Sequence, residues 1–267
     1  MMRTTWRILV LIILGGIALQ LYFAARIALM KVVDPQSTTF QRSEIFRLAR
    51  DQHQILWSQE WRPYSAISDN LKRAVIASED ANFVDHSGVE WDALRNAWKR
   101  NNQAQVKVDK VRAQAQARYE RAVSRAQARG RKPPDSPARA LAATPKVIGG
   151  STITQQLAKN LFLSGERNFL RKGQEFLITF MLEGLLGKER ILGIYLNNVE
   201  WGEGVFGAQA AARHYFHVDA GQLSATPAAR LAVMLPAPKR FEQNPNSGYV
   251  ASRGGTIAAR LLGVELP

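Results

Sequence analysis

A pair of carboxylates, a pair of amides and a string of cations are the residues of this chain that could do chemistry. Glu79 and Asp80 open the run Glu79-Asp80-Ala81-Asn82-Phe83-Val84-Asp85-His86-Ser87-Gly88, and Gln155 and Gln156 close Gly149-Gly150-Ser151-Thr152-Ile153-Thr154-Gln155-Gln156. Lys159, Arg167, Arg171 and Lys172 then lead to Glu175. A carboxylate in the last turn of a helix meets the negative end of the helix dipole, and an aromatic shield such as Phe83 adds to the penalty on its charged form. Both push Glu79 upward, which suits a general base working near neutral pH. Neutral amides beside a lysine suit a sugar phosphate, and clustered cations suit a diphosphate. Plainer roles fit the same residues: a solvated acid at a helix end, and surface ion pairs of Glu175 with Lys172 and Arg171 worth about 0.2–0.5 kcal/mol each.

Three helices must position these groups. Ser68 can cap a helix that starts at Asp69, buries Leu71, Ala74 and Val75 with Ser78 beside them, and delivers Glu79 to its last turn. Gly149 and Gly150 allow close backbone approach, Ser151 or Thr152 caps the next helix, and Thr152 with Gln155 has capping-box spacing. An anion would sit well at that N-terminus. Along it Ile153, Leu157 and Leu161 form an apolar stripe, while Thr152, Gln155, Gln156 and Lys159 share another face. The third helix opens at Arg171 with Phe176, Leu177, Phe180 and Met181 as its apolar side. Its stretch to Gly187 is too short to span a bilayer and contains Glu183, so it is core or an interfacial surface. His86 shapes the loop after Glu79 and Gly88 ends the turn. Val89 to Trp98 then starts a helix with Trp91, Leu94 and Trp98 on one face. The four histidines have no metal-ligand spacing.

The chain has 267 residues, 46% of them hydrophobic, which fits one large domain plus an anchor. A net charge of +14 calls for an acidic partner: nucleic acid, anionic lipid or a phosphate-bearing substrate. Without cysteine there is no disulfide frame and no thiolate site. Residues Ile8 to Ala25 carry no charge, lie between Arg3, Arg7 and Arg26, Lys31, and are just long enough to cross a bilayer core that needs roughly 20 residues. A cleaved signal peptide is the competing reading, but its apolar run is usually about 7–15 residues and no A-x-A site follows here. The expected organisation is a cytoplasmic tail over 1–7, a transmembrane anchor over 8–30, a membrane-proximal connector over 31–61 and one domain over 62–267.

An insertion at about 101–146 interrupts that domain. Between Val89 and Arg129 there is neither Gly nor Pro, and Val108, Val111, Ala115, Tyr119, Ala122 and Ala126 recur three and four apart, which predicts a long exposed helix or a helical hairpin. Eleven basic residues against Asp109, Glu120 and Asp135 leave it at +8, more than half of the protein's excess charge. A solvated face, a disordered loop or a grip on anionic lipid heads all fit. Beyond Arg129, Gly130, Pro133, Pro134 and Pro137 predict irregular chain.

The motifs around Glu79 and Gln155 resemble E-D-x-x-F-x-x-H-x-G and G-G-S-T-I-T-Q-Q of the monofunctional peptidoglycan glycosyltransferases, the lipid II polymerases of the bacterial cell wall. Arg171 to Glu175 resembles that family's R-K-x-x-E. Lys188-Glu189-Arg190-Ile191-Leu192-Gly193-Ile194-Tyr195-Leu196-Asn197 resembles K-x-x-I-L-E-x-Y-L-N, with Gly193 in place of Glu, a change that weakens a helix by about 1 kcal/mol relative to Ala. Leu231 to Pro238 looks like the fifth motif, and Gln209 stands where an acid is usual. The resemblance implies a mainly α, lysozyme-like domain with a small membrane-contacting lobe behind one transmembrane helix, on the periplasmic or extracellular side of the cytoplasmic membrane. It implies inverting transfer of the lipid-linked glycan onto lipid II, with Glu79 and Glu175 catalytic and polyprenyl diphosphate leaving. Substrate contacts would come from Asp80, Phe83, His86, Ser151, Thr152, Gln155, Gln156, Lys159, Asn160, Arg167, Arg171, Lys172 and Asn197. No cofactor is required, although magnesium or manganese at the diphosphate is compatible. The implied partners are lipid II, the growing glycan, membrane lipids and other cell-wall synthesis proteins, with no nucleic acid.

Two other readings share these residues: a lytic enzyme using Glu79 as an acid on finished glycan, and an impaired membrane scaffold in which Gly193 and Gln209 mark lost activity. A penicillin-binding transpeptidase is excluded, since no Ser is followed by Lys three residues on and K-T-G does not occur.

Overall fold

A computed structural model of the chain describes residues 2–145, 149–163 and 169–267. In chain order the elements are α1 (Met2–Leu29), α2 (Thr39–Asp51), β1 (Ser58–Gln59), α3 (Asp69–Glu79), α4 (Trp91–Ala128), α5 (Ala138–Leu141), α6 (Ile153–Phe162), α7 (Phe169–Leu185), α8 (Lys188–Asn198), β2 (Glu200–Gly202), β3 (Val205–Phe206), α9 (Ala208–Phe216), α10 (Ala225–Met234), α11 (Pro238–Phe241) and α12 (Gly248–Ala258). The protein is mainly helical, as a lysozyme-like domain implies. Residues 1–89 with 151–267 form one compact unit, and 90–150 form another.

In the first unit, α1 is apolar and long enough to cross a membrane. Its first two-thirds expose large side chains such as Leu11, Ile12 and Leu21, while Phe23, Ile27 and, just past its end, Met30 are buried. Phe23 packs edge-to-face on Phe162 of α6 at 5.2 Å, and Gln20 and Gln174 of α7 exchange hydrogen bonds at 2.8 and 2.9 Å. The helix that suits lipid therefore becomes core at its C-terminal end. Residues 31–61 also fold onto this unit. Thr38 caps α2 in a capping box with Gln41, and Thr39 Oγ1 donates to the Leu161 carbonyl at 2.9 Å, which sets α2 on α6. Strand β1 runs parallel to β3, with Ser58 opposite Val205, and β2 pairs with β3 antiparallel.

Helix α3 forms as its sequence predicts: Ser68 Oγ accepts from Asn70 N–H at 3.2 Å, and Leu71, Ala74, Val75 and Ile76 are buried against α10 and α12. Helix α7 differs from expectation. It buries Glu175, Ile178, Thr179 and Leu182 and leaves Leu177 and Phe180 exposed. From Phe176 to Met181 the sequence of α7 is apolar except for Thr179, so period alone could not choose the face there, and the packing against α6, α1 and α8 does.

In the second unit, one uninterrupted helix of 38 residues, α4, answers the prediction of a long helix or a hairpin. The proline-rich chain after it turns back, and Pro134 and Pro137 lie with Ala115, Tyr119 and Ala122 around one pocket. Trp91 and Trp98 are exposed. Gly150 shows why the chain needs no side chain there, since a Cβ would stand 3.0 Å from that of Ala97.

Candidate active site

Glu79 ends α3, and its carboxylate is held by an amide and a hydroxyl. Gln156 Nε2 donates to its Oε2 at 2.9 Å, and the buried hydroxyl of Tyr195 in turn donates to Gln156 Oε1 at 2.9 Å. With its oxygen held by Tyr195, Gln156 can present only its N–H₂ to Glu79. Burial raises the Glu79 carboxyl above its ordinary range; the bonds from Gln156 and Ser78 pull the other way, and the Asp80 charge adds to the rise.

Asp80 turns away from Glu79 into a buried frame. Its Oδ1 accepts from His86 Nε2 at 2.8 Å and its Oδ2 from the Ile153 N–H at 3.0 Å, in the first turn of α6. The anion expected at that N-terminus is thus the protein's own carboxylate. His86 Nδ1 accepts from Gly88 N–H at 3.1 Å, and Thr152 Oγ1 donates to the Gly88 carbonyl at 2.6 Å. Gly88 has φ +84°, and a Cβ there would lie 2.7 Å from Thr179 Cγ2. Glu183 closes the frame from α7: its Oε1 accepts from Thr154 Oγ1 at 2.6 Å and Lys188 Nζ at 2.9 Å, and Lys188 stands over the ring of Phe83 at 4.4 Å.

On the other side of Gln156 lies a cavity of about 340 Å³ lined by Phe40, Ser151, Gln155, Gln156, Lys159, Asn160, Leu163, Arg171, Lys172 and Glu175. Glu175 is 3% exposed, with Arg171 Nη1 at 3.1 Å and Lys172 Nζ on its other oxygen. Three cations against one carboxylate leave the described lining positive. The Gln155 oxygen completes the capping box with Thr152 N–H at 3.1 Å, while its Nε2, also buried, has no partner among the described residues.

The structure therefore divides the sequence-predicted site residues. Ser151, Gln155, Gln156, Lys159, Asn160, Arg171, Lys172 and Glu175 meet at the cavity, and Glu79 joins it through Gln156. Asp80, Phe83, His86 and Thr152 do not line it; Asp80, His86 and Thr152 are committed to protein partners and Phe83 is fully buried, so in this structure the four build the frame. Asn197 holds both backbone groups of Arg62, accepting at 2.8 Å and donating at 2.9 Å, beside a separate cavity with Tyr64 and Gly193. Arg167 lies outside the described residues. Tyr195, Thr154 and Glu183 join the site's frame without being among the expected residues. A hydroxyl or carboxyl on the inner face of an apolar helix, which must find a buried partner, was their one signal.

A model of the transglycosylase family matches residues 50–109 and 136–262. The chain belongs to the transglycosylase family. It is 48% identical over 251 residues to the biosynthetic peptidoglycan transglycosylase of Burkholderia thailandensis, covering 94% of this chain and 83% of that one. The enzymes of the same name from Paraburkholderia xenovorans and Bordetella pertussis are 46% and 44% identical, with 95% and 99% of this chain covered and 90% and 97% of theirs.

For a transglycosylase, the two altered motif residues matter only if they touch the site, and neither lines its cavity. Gly193 is buried in α8, where a Cβ would meet only Tyr64, at 3.6 Å. Gln209 donates to Asp219 and accepts from Ala220 N–H at 2.9 Å. An ionised acid there could accept from Ala220 but would face Asp219 with a like charge, so the amide is the residue this contact needs. The family match leaves 110–135 out, within the basic insertion of this transglycosylase.

Proposed function

We propose that this transglycosylase polymerises lipid II into peptidoglycan glycan strands, with Glu79 as general base and the cation-lined cavity as the diphosphate site. The observation that carries this reading is Gln156, which bonds to Glu79 and also lines the cavity. It ties the proton acceptor to the place where negative charge would develop. Glu79 takes the proton of the acceptor sugar's 4-hydroxyl as that oxygen attacks the donor's anomeric carbon. The new O4–C1 bond forms with inversion as the bond from C1 to the diphosphate oxygen breaks. The leaving diphosphate takes the electron pair and meets Lys159, Arg171 and Lys172, placed in advance of the charge they stabilise. Glu175 keeps Arg171 and Lys172 oriented, and Ser151, Gln155 Nε2 and Asn160 supply hydrogen bonds to sugar or phosphate. Arg167 would add to the cations.

A magnesium or manganese ion is not needed to neutralise the diphosphate on this reading. Glu175, the one carboxylate among the described lining residues, is already bracketed by two cations. The anchor α1 keeps the enzyme at the bilayer that carries its lipid-linked substrates, and the catalytic unit lies on the outer side of the cytoplasmic membrane, where other cell-wall synthesis proteins would meet it. The experiment is conversion of labelled lipid II into long strands by detergent-solubilised protein, with Glu79→Gln alongside. Polymer from the wild type alone is expected; polymer from both would remove Glu79 from the mechanism, and cleavage of finished strands in place of polymer would overturn the reaction.

A further inference from the structure

The outer face of α4 carries an uncompensated line of charge. Eleven residues make about three turns of a helix, and Lys99, Lys110 and Arg121 recur at that interval, as do Lys107 and Arg118. With Arg125 they fall within an arc of about 100° and extend for about 39 Å along the axis. All six are exposed, and none has an ion-pair partner among the described residues. The two acids in this part of the helix lie outside the arc and are engaged by their own neighbours: Asp109 accepts from Gln105 at 2.9 Å, and Glu120 from Gln116 at 2.7 Å. The returning chain meets the other side of the helix, where Tyr119, Pro134, Asp135 and Pro137 line a pocket that Arg118, at the edge of the arc, also borders, and where Arg112 donates to the Ala143 carbonyl. The returning chain thus leaves one straight cationic strip to solvent.

We infer that this strip docks on the headgroups of an anionic membrane. A planar field of negative charge complements a straight, one-signed strip better than a compact acidic patch would, and each cation near such a surface gains roughly fivefold in affinity. The anchor α1 ties the chain to a bilayer, so lipid headgroups are present at high effective concentration and even a weak electrostatic contact is occupied. Docking of this kind would restrain the 61-residue unit that interrupts the catalytic unit.

The full chain has no cysteine, so Gln114→Cys, which falls inside the arc, gives a single labelling site. An environment-sensitive dye is attached there, and the protein is placed in nanodiscs of phosphatidylcholine alone or mixed with phosphatidylglycerol, each doped with a headgroup-nitroxide quencher. Strong quenching in the anionic discs, at least about fivefold weaker in the neutral ones and relieved by salt, is the expected result. Combined Lys107→Glu, Lys110→Glu, Arg118→Glu and Arg121→Glu should abolish it while lipid II polymerisation in detergent is retained. Equal quenching in both discs, or quenching that survives high salt in the wild type, overturns the proposal without relying on the variant's folding. A dye that ignores anionic lipid but responds to soluble heparin gives the strip to a soluble acidic polymer, and the proposal also fails.

Discussion

Glu79 and Glu200 are both carboxylates whose burial raises their pKa, yet they sit in unlike regions. Glu200, in β2, is pushed up to about 7, with Lys239 at 3.4 Å pulling it down and Glu44 adding to the rise. It belongs to a chain of ion pairs in which Lys239 also holds Glu44, Glu44 holds Arg47 at 2.8 Å, and Arg47 holds Glu203. Among the described residues Glu79 has neutral donors alone, Gln156 and Ser78, and its main donor opens onto a cation-lined cavity. A raised carboxyl therefore does not locate a site by itself. What distinguishes Glu79 is that it could take a proton from something that binds next to it, whereas Glu200 is surrounded by groups that hold it in place.

The largest effect separates the two directly. Glu79→Gln should lower polymerisation by about 10²–10⁴-fold with the fold intact, while Glu200→Gln should leave the rate nearly unchanged. Comparable losses in both variants, measured on labelled lipid II, would erase the distinction. Next in size is Asp80→Ala, which strips the partner from His86 Nε2 and the Ile153 N–H at once. Two buried donors left unsatisfied should cost about 3 kcal/mol in denaturant unfolding of the detergent-solubilised protein. A loss below about 1 kcal/mol would mean that the frame around α6 does not depend on Asp80.

Glu200→Gln should itself show a smaller, pH-dependent gain. A group whose pKa rises on folding, here from 4.5 to about 7, stabilises the fold below 4.5 and loses that contribution as pH climbs through 7. The amide cannot ionise, so the variant should match the wild type at acid pH and exceed it by about 1–2 kcal/mol above neutrality. Unfolding curves at pH 4 and pH 8 check this, and an equal difference at both pH values would contradict the raised carboxyl.

Much of the frame was legible because its signals are local. Ser68 and Thr152 cap helices within three residues of themselves, and the uncharged run after Arg7 needs no partner to be recognised. The motifs told which residues gather, but not which of them face the cavity. Asp80 reads like a ligand-binding acid until Ile153, 73 positions away, donates to it. Phe176 to Met181 offered an apolar side that packing partly reverses, because a stretch in which only Thr179 is polar has no face of its own to declare.

Tyr195 gives the smallest and most specific prediction. Its hydroxyl is buried and fixes the orientation of the Gln156 amide, and that amide, more than Ser78, lowers the Glu79 carboxyl against the effect of burial. In Tyr195→Phe the amide is free to turn, and the bond that favours the ionised form of Glu79 is weakened. The carboxyl then rises further, so less of it is ionised at a given pH, and the acidic limb of the rate profile should move to higher pH. Loss of one buried hydrogen bond should cost only about 1 kcal/mol of stability. The rate on the plateau should recover most of its wild-type value, because Glu79 is still present and is ionised there. Lipid II polymerisation followed across pH separates the possibilities: a lower plateau with an unmoved limb would make Tyr195 a packing residue and leave Gln156 to orient itself.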